Sequence, residues 1–436
     1  MRITALENWI IDRTRITQKT QEALLEYQFE KILKMLHYAK EKSKFYQKHF
    51  ASTDLNQITS FESFNKLPFT TAEDIKRYMY DFSALSYAQI DRVVTLNTSG
   101  TTGDEKRIFF TQEDLEDTID FFDYGMRCLL EKGDNVLVLL PGPSYGSIGN
   151  LLKKALSKTD TTCVVQGVLS DIPKTLETIK ENKISCIVGI PMQVLYLSKI
   201  APELFYKHIK KVLLSTDYVP NSLVKALSNE GKCQVFNHYG MTEMGYGGGV
   251  ECECLDGYHL RENHLYFEII NPKTGELVEN GEYGEYGEVV FTTLNRQAMP
   301  LIRYKTGDMA RFYTQPCECG SFLRRMQKVI GRIDNLVNID GCEVHLRDLD
   351  EIILDIKEVV DFKAEVLEKN VLHVKLILLQ NSEIEAVLDK VQERISKHFN
   401  NQFKIQLQWQ FDDYSSSITN SMIKRKICDF TKGEKR

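Results

Sequence analysis

Apolar positions near the start of the chain follow a helical period. Their spacing alternates between four and three residues, which is the spacing of one face of an α-helix. The residues that share it are Leu25, Phe29, Ile32, Leu36 and Ala39. This pattern predicts a helical segment between residues 18 and 49, with the stripe packed against the core.

The central part of the chain has a different pattern. Short β-rich apolar runs alternate with helical patterns from about Asp134 to Tyr239. The runs are residues 135–140, 162–166, 184–190, 210–215 and 232–237. This alternation predicts β-α-β units and a largely parallel sheet, with ligands at the carboxyl ends of its strands.

After Gly245 the chain is punctuated by glycine, and the pattern predicts a mostly β subdomain. The predicted strands are 264–270, 288–293 and 301–304, with turns at Asn271-Pro272 and Asn280-Gly281. Beyond residue 330 an α+β pattern begins. It consists of a turn at Gly341, helices over 346–356 and 382–398, and strands over 362–367 and 372–379.

These patterns predict an α/β fold. A large N-terminal domain, residues 1–330, contains the parallel-sheet β-α-β units and the β-rich subdomain. A small mobile α+β C-terminal domain covers residues 331–436. The length of 436 residues, with 42% hydrophobic residues, agrees with two domains, because one core rarely grows to this size.

Charge and hydropathy exclude several classes of partner. Lys+Arg 55 against Asp+Glu 61 gives a net charge of -6 without a dominant basic block, which argues against nucleic acid. The longest apolar runs, 136–140 and 371–379, are too short or too interrupted to span a bilayer. The N-terminus has no apolar leader. We therefore expect a cytoplasmic protein with no membrane partner.

The ten cysteines fall into two groups. Six are isolated among apolar or mixed residues, as is typical of reduced packing residues. These six are Cys128, Cys163, Cys186, Cys233, Cys342 and Cys428. The other four form two close pairs, Cys252/Cys254 and Cys317/Cys319, and a cytosolic pair of this kind more often binds metal than forms a disulfide.

A loop rich in glycine and hydroxyl groups follows the strand-like residues 92–96. It reads Asn-Thr-Ser-Gly-Thr-Thr-Gly-Asp-Glu-Lys over residues 97–106. Its glycines allow the backbone to approach an anion, and Lys106 adds positive charge. It lacks the order of a Walker loop. Taken alone, it is more typical of a flexible turn than of a phosphate-binding loop.

Three further segments accompany this loop in a fixed order. They are Asn237-His238-Tyr239-Gly240-Met241-Thr242-Glu243, Tyr304-Lys305-Thr306-Gly307-Asp308 and Gly331-Arg332-Ile333-Asp334-Asn335. With residues 98–106 they resemble the acyl-adenylate-forming superfamily, which includes acyl-CoA synthetases, peptide-synthetase adenylation domains and luciferases. Residues 294–304, Glu251-Cys252 and Pro316-Cys317-Glu318-Cys319-Gly320 are similar to the phenylacetate-CoA ligase branch.

The resemblance implies an activity and its cofactors. A carboxylic acid would be activated with ATP as its acyl-AMP and transferred to coenzyme A. The loop residues Ser99, Gly100, Thr101, Thr102, Gly103 and Lys106 would hold the β- and γ-phosphates. Glu243 would help to hold Mg²⁺, and Thr242 would hydrogen-bond the α-phosphate.

The resemblance also implies the rest of the nucleotide site. The adenine side would be formed by Ser215, Thr216, Asp217, Asn237 and Tyr239, with the segment through Gly240 and Met241. Asp308 would accept hydrogen bonds from the ribose hydroxyls, and Arg332 would contact ribose or phosphate. Taken alone, Asp308 in Thr-Gly-Asp is as typical of a turn residue as of a ribose-binding residue.

Members of this superfamily rotate the C-terminal domain, and Asp334 matches their hinge position. An ordinary polar linker would have the same composition. They also deliver a lysine from a Gly-Lys motif near the C-terminus. Here the stretch reads Ser-Met-Ile-Lys-Arg-Lys over 421–426, without the glycine. A strict alignment with the family places Met422 or Ile423 at the position of this lysine. A shift of one or two residues places Lys424 there, and Lys424 is our candidate.

Three thiols and one imidazole suggest a metal site. Cys252, His259, Cys317 and Cys319 suit tetrahedral Zn²⁺, and four protein ligands indicate a structural role. The phenylacetate-CoA ligase branch shows a similar pattern of Glu-Cys, Gly-x-His and Cys-x-Cys-Gly. Cys254 is the alternative to Cys252, and two reduced loops without metal are the simpler interpretation of the pairs alone.

The acid-binding side is expected around residues 141–149, 190–192 and 239–249. Tyr145, Gly146 and Ile148 are its predicted pocket residues, although residues 141–149 also suit an ordinary βα turn. An aryl or arylacetic acid is the first candidate substrate. His238 is assigned no catalytic role.

Three alternative functions share the nucleotide site but differ in the acceptor or in turnover. An adenylyltransferase acting on a deazaflavin coenzyme or an acyl-protein synthetase would use another acceptor. A nucleotide-binding protein without turnover is motivated by the missing Gly-Lys motif. The resemblance is also compatible with a homodimer.

Overall fold

The computed structural model describes residues 4–96, 105–278, 285–333, 335–412 and 425–432. Its helices are α1 (Ala5–Thr14), α2 (Gln21–Lys42), α3 (Lys44–His49), α4 (Phe61–Phe64), α5 (Ala72–Arg77), α6 (Gln112–Met126), α7 (Ile148–Leu156), α8 (Ile172–Glu181), α9 (Pro191–Ile200), α10 (Pro202–His208), α11 (Asn221–Ser228), α12 (Leu346–Ile353) and α13 (Ile384–His398). Among the helices in these ranges, none has the length and apolar composition needed to cross a membrane.

The strands are mostly short. They are β1 (Arg92–Leu96), β2 (Lys106–Phe110), β3 (Asn135–Leu139), β4 (Thr162–Val165), β5 (Cys186–Gly189), β6 (Lys211–Leu214), β7 (Gln234–Tyr239), β8 (Gly249–Glu251), β9 (Tyr258–Leu260), β10 (Leu265–Ile270), β11 (Gly287–Thr293), β12 (Tyr304–Ala310), β13 (Arg325–Met326), β14 (Gly331–Arg332), β15 (Leu336–Ile339), β16 (Cys342–His345), β17 (Val359–Glu368), β18 (Val371–Leu378), β19 (Lys404–Phe411) and β20 (Cys428–Asp429).

The chain forms two compact units. The first unit comprises residues 1–132, 144–160 and 237–329, and the second comprises 133–143, 161–236 and 330–436. One boundary between them, at 329/330, lies next to the predicted domain boundary. The division into domains 1–330 and 331–436 stays a prediction.

The second unit contains the predicted parallel sheet. Its strands are ordered β6-β5-β3-β4, and each neighbouring pair is parallel. All four residues of β5 are buried, as expected for a central parallel strand covered on both faces. The predicted α/β fold class is thus confirmed, with strand ends shifted by one or two residues.

The same unit holds an antiparallel hairpin, β15-β16, and a mixed sheet ordered β19-β18-β17-β20. Gly341 forms the hairpin turn with a φ of +85°, where glycine is favoured. Buried residues of β3, β5, β6, α9, α11, α12, β17, β18 and α13 form one hydrophobic cluster. Strand β19 was not predicted, although Lys404–Phe411 alternates polar and apolar residues, which is the pattern of a half-buried strand.

The first unit is helical at its start. Helix α2 begins after the N-cap Thr20 and ends before Ser43, which also caps α3. Ile32, Leu36 and Ala39 are buried as predicted, whereas Leu25 and Phe29 lie at the margin of the buried face. The predicted helical segment is therefore confirmed as two consecutive helices.

The β part of the first unit has three sheets. They are the hairpin β1-β2, the antiparallel set β10-β11-β12, and the antiparallel set β13-β9-β8-β7. The predicted strand over 301–304 was wrong, since β12 begins at Tyr304. Arg303 has a φ of +47°, and its buried guanidinium pairs with Glu268 at 2.9 Å. This anchored turn precludes an extended strand before Tyr304.

Candidate active site

Glu243 is the centre of a buried polar cluster in the first unit. It lies in a 3-10 turn after β7 that ends at Gly245, whose φ of 71° favours glycine. Lys106, the first residue of β2, forms an ion pair with its Oε1. The Tyr304 hydroxyl donates to the same oxygen at 3.1 Å. The two predicted phosphate-site residues Lys106 and Glu243 are thus brought together.

The electrostatics of this carboxylate follow from its neighbours. Burial raises the pKa of Glu243, but the Lys106 ammonium and the hydrogen bonds it receives outweigh that effect, and the net pKa is lowered. An ionised carboxylate can hold a divalent cation. The neighbouring ammonium can bind a phosphate oxygen. The cluster is thus suited to a metal-bound polyphosphate.

Arg296 fixes the position of the Glu243 turn. Its Nη1 donates to the Glu243 carbonyl at 2.6 Å and its Nη2 to the Phe109 carbonyl at 3.2 Å. The guanidinium also lies 4.3 Å from the centre of the Phe110 ring. Through these contacts Arg296 ties the turn to strand β2, which carries Lys106. The sequence analysis did not identify this role.

Strand β12 supplies the predicted ribose carboxylate. Tyr304, Thr306 and Asp308 alternate along it as buried residues. The Tyr239 hydroxyl donates to Asp308 Oδ2 at 3.1 Å, and the Asp308 amide donates to Thr306 Oγ1 at 3.0 Å. Burial first, and then the Asp308 charge, raises the pKa of Tyr239 well above its ordinary value. The hydroxyl is therefore a donor that orients Asp308.

Asn237, on β7, is the other predicted adenine residue of this unit. It is fully buried. Its backbone N–H and its Nδ2 both donate to Glu251 Oε2, at 2.8 and 2.7 Å. Its Oδ1 has no hydrogen-bond partner within the described part of the chain. One side of this amide is therefore anchored, while the other is a buried acceptor without a partner among the described residues.

The three predicted acid-pocket residues, Tyr145, Gly146 and Ile148, lie in the first unit. The Tyr246 hydroxyl donates to the Gly146 carbonyl at 3.2 Å, which joins the loop after Glu243 to the segment before α7. Tyr145 is 49% exposed, and Ile148 begins α7. A Cβ at Gly240 would collide with the Tyr246 carbonyl. Glycine is therefore required where these loops approach.

His238 lies among aromatic side chains. Its ring centroid is 6.0 Å from Phe121 and 6.2 Å from Phe122. Burial lowers the pKa of His238 to about 4, so the imidazole is neutral near pH 7. These features agree with a packing role.

In the second unit the predicted residues Ser215, Thr216 and Asp217 follow the carboxyl end of β6. Thr216 has a φ of +79°, which marks a tight turn there. Asp217 and Arg332 both line one open cavity. Its other lining residues are Tyr218, Ile330, Gly331, Asn335, His345, Leu346, Arg347, Asp350 and Arg425. Two predicted nucleotide residues thus share one cavity.

The four predicted metal ligands meet in the first unit. Potential ligand atoms of Cys252, His259, Cys317 and Cys319 all lie within 4.8 Å of one another. Cys252 Sγ is 3.7 Å from Cys317 Sγ, and Cys319 Sγ is 3.4 Å from His259 Nε2. Cys254 is not part of this group. Three thiols and an imidazole this close fit a tetrahedral zinc ion.

Several predicted residues lie outside the described ranges. They are Ser99, Gly100, Thr101, Thr102 and Gly103 of the phosphate loop, the hinge candidate Asp334, and Lys424. Their roles stay predictions. Thr242 and Met241 lie beside Glu243 in the 3-10 turn and just before it.

Comparisons with known proteins support the same chemistry. The model of the family described as AMP-binding enzyme matches residues 32–293. A phenylacetate-coenzyme A ligase of Thermus thermophilus is 28% identical over 359 residues, covering 78% of this chain and 77% of that protein. The phenylacetate-coenzyme A ligase of Escherichia coli is 25% identical and covers 76% of each.

A solved structure shares the fold. The crystal structure of a 2-hydroxyisobutyryl-CoA ligase in its postadenylation state, in complex with 2-HIB-AMP, aligns with a TM-score of 0.80 and 17% identity. The alignment covers 93% of this chain and 89% of that one. The family match extends over more than half of the chain and includes Lys106 and Glu243. The chain therefore belongs to the AMP-binding enzyme family.

Proposed function

We propose that this chain is an AMP-forming acid–CoA ligase, which activates a carboxylic acid with ATP and then transfers the acyl group to coenzyme A. The observation that carries the proposal is the buried Lys106–Glu243–Tyr304 cluster. The relatives of this chain that are named phenylacetate-coenzyme A ligase support the same activity.

The first half-reaction needs placement and charge neutralisation rather than a general base. A carboxylic acid is already ionised at neutral pH. Its oxygen attacks the α-phosphorus of ATP, the bond to the bridging oxygen breaks, and pyrophosphate leaves. Lys106 would turn from Glu243 to the phosphates, which frees the Glu243 carboxylate for Mg²⁺. A bound Mg²⁺ would neutralise charge on the pyrophosphate.

The other residues would hold the nucleoside. Asp308, oriented by Tyr239, would accept from the ribose hydroxyls. Asn237 Oδ1 would accept from the adenine amino group. For Ser215, Thr216, Asp217 and Arg332 we propose the nucleoside contacts that the family resemblance implies.

The phosphate loop, Ser99 to Gly103, would supply backbone and hydroxyl donors to the triphosphate, with Thr242 at the α-phosphate. Lys424 would add a charge-assisted contact in adenylation, and Asp334 would serve as the hinge. In the second half-reaction the coenzyme A sulfur attacks the acyl carbonyl and AMP leaves.

The substrate class proposed is an aryl or arylacetic acid. Tyr145, Gly146 and Ile148 would line its pocket. The exposed Tyr145 ring would offer an aromatic face to a flat substrate. The names of the relatives support an arylacetic acid.

We also propose that Cys252, His259, Cys317 and Cys319 bind a structural Zn²⁺. Replacing Cys317 with Ser should lower bound zinc well below one equivalent and reduce the melting temperature. Metal analysis after purification without chelator measures this, and Cys254→Ser is the control that should keep the full equivalent. A full equivalent of zinc in Cys317→Ser would exclude Cys317 from the ligands.

Acid-dependent ATP–pyrophosphate exchange tests the proposed activity. A panel of aryl, arylacetic and fatty acids should stimulate exchange selectively, and added coenzyme A should yield the thioester. Exchange without thioester formation would indicate that the acyl acceptor is not coenzyme A. Tight ATP binding without exchange for any acid would reject the ligase and favour a nucleotide-binding protein.

A further inference from the structure

The amide of Asn237 has two sides with different surroundings. Nδ2 donates to Glu251 Oε2 at 2.7 Å, whereas Oδ1 is buried and lacks a partner among the residues the structure describes. Leaving a buried acceptor unpaired costs about 1–3 kcal/mol. A ligand that donates a hydrogen bond to Oδ1 would recover this free energy.

Glu251 determines which side of the amide is available. It is the last residue of β8, one position beyond Val250, which pairs with His238. Its side chain is fully buried, and its Oε1 accepts from the Gly257 amide at 3.2 Å and lies 3.4 Å from Lys328 Nζ. These contacts hold the carboxylate against Asn237.

Donors surround both carboxylate oxygens of Glu251. Its Oε2 accepts from the Asn237 N–H and Nδ2, and its Oε1 faces the Gly257 N–H and the Lys328 ammonium. Oxygens that accept from these donors offer no hydrogen to Asn237 Oδ1. If the Asn237 amide turned over, Oδ1 would face the carboxylate, and two acceptors would be in contact. The amide is therefore locked with Nδ2 toward Glu251.

We propose that Glu251 sets the base specificity of the nucleotide site. By locking the amide of Asn237 it presents an acceptor to the 6-amino group of adenine and rejects purines with a 6-oxo group. Glu251 is a positioning residue, since it acts through Asn237. This proposal rests on the proposed function, in which Asn237 contacts the adenine.

The chemistry of the purine 6-position makes the proposal testable. Adenine carries a donor there, and 6-oxo purines carry an acceptor. A purine without a 6-substituent neither donates nor repels. A locked amide predicts that AMP binds most tightly, purine riboside 5′-monophosphate less tightly and inosine 5′-monophosphate least tightly. An amide free to turn would instead donate Nδ2 to the 6-oxo group, and inosine 5′-monophosphate would bind more tightly than purine riboside 5′-monophosphate.

Calorimetric titration of the full chain with these three nucleotides is the first test. We expect each step in the order to weaken binding about tenfold, which is within the cost of leaving one buried polar group unpaired. Inosine 5′-monophosphate binding as tightly as purine riboside 5′-monophosphate, or more tightly, would overturn the proposal. If none of the three binds, the nucleotide site itself is wrong and the specificity proposal fails with it.

Glu251→Gln is the second test, because glutamine both donates and accepts and no longer locks the amide. The preference for AMP over inosine 5′-monophosphate should fall about tenfold. Glu262→Gln is the matched control, a fully buried carboxylate of the same unit that accepts from the Arg324 amide at 2.9 Å. It should keep the wild-type preference.

A merely structural role of Glu251 would weaken all three nucleotides equally and leave the preference unchanged, which contradicts the proposal. If Glu251→Gln does not fold, the affinity order of the wild-type protein decides.

Discussion

Each unit contains a buried carboxylate paired with a basic side chain, and the two pairs differ in charge balance. In the first unit Lys106 pairs with Glu243, and the pKa of Glu243 is lowered despite burial. In the second unit Arg425 Nη1 lies 2.5 Å from Asp350 Oδ1, yet burial raises the pKa of Asp350 to about 6. A buried basic partner is therefore not sufficient to lower the pKa of a buried acid.

The difference lies in the number of acids that share each cation. Glu243 has Lys106 and the Tyr304 hydroxyl as donors. Arg425 is shared by Asp350 and Asp361, whose Oδ1 lies 3.7 Å from Nη2, and Asp217 adds a further negative charge that raises the pKa of Asp350. One guanidinium cannot compensate the desolvation of several carboxylates.

The largest effect is expected when the first pair is broken. Lys106→Met removes the ammonium that would contact the phosphates, so ATP–pyrophosphate exchange should fall about 100- to 1000-fold. It also leaves Glu243 buried without a counter-charge, which should lower the free energy of unfolding by about 3 kcal/mol. Exchange kinetics and urea unfolding at pH 7 measure the two effects.

The double variant Lys106→Met/Glu243→Gln separates these effects. Removing both charges should restore most of the stability, because no unpaired charge remains buried. Activity should stay low. If the double variant is as unstable as Lys106→Met, the loss of stability does not come from the unpaired carboxylate.

A smaller effect is expected in the second unit. Because the pKa of folded Asp350 is raised to about 6, the folded state binds more protons than the unfolded state between pH 4 and pH 7, and stability falls as pH rises. Relative to Asp350→Asn, the wild type should lose about 2 kcal/mol of unfolding free energy over this range. Urea unfolding at several pH values measures the difference, and a pH-independent difference would contradict the assignment.

The smallest effect concerns the hydroxyl that assists Glu243. Tyr304→Phe removes one hydrogen bond to the carboxylate, worth about 1 kcal/mol, and should reduce ATP–pyrophosphate exchange about fivefold. Tyr38→Phe, which removes an exposed hydroxyl bonded to the Gln297 carbonyl at 3.0 Å, should leave the rate unchanged. An equal loss of exchange rate in both variants would mean that the Tyr304 hydroxyl has no special role in the reaction.

The predictions from sequence succeeded where the pattern is local. The alternation around β3 to β7 fixes the parallel sheet, since each strand is an apolar run with its own turn signals. The strand predicted at 301–304 failed because a distant partner, Glu268, holds Arg303 in a turn. Strand β19 carries a local alternation of apolar residues and glutamines that is typical of a half-buried strand, and the sequence analysis overlooked it.

For the candidate site, the structure places Lys106 beside Glu243 and Tyr239 beside Asp308, and the roles that motif resemblance implies for these residues stay predictions. Motif resemblance gave no information on Arg296, whose contact with the Phe109 carbonyl joins residues 187 positions apart. It also named Glu251 only as a neighbour of a cysteine. Contacts of this kind depend on how strands are arranged in space, which a single sequence does not specify.

The central claim is that Lys106 and Glu243 act on the same metal-bound triphosphate. The most direct test is a double-mutant cycle in acid-dependent ATP–pyrophosphate exchange, with wild type, Lys106→Met, Glu243→Gln and the double variant. Residues that act as a unit predict a double variant no slower than the slower single variant. Losses that multiply, so that the double variant is slower by the product of the single effects, would contradict the claim.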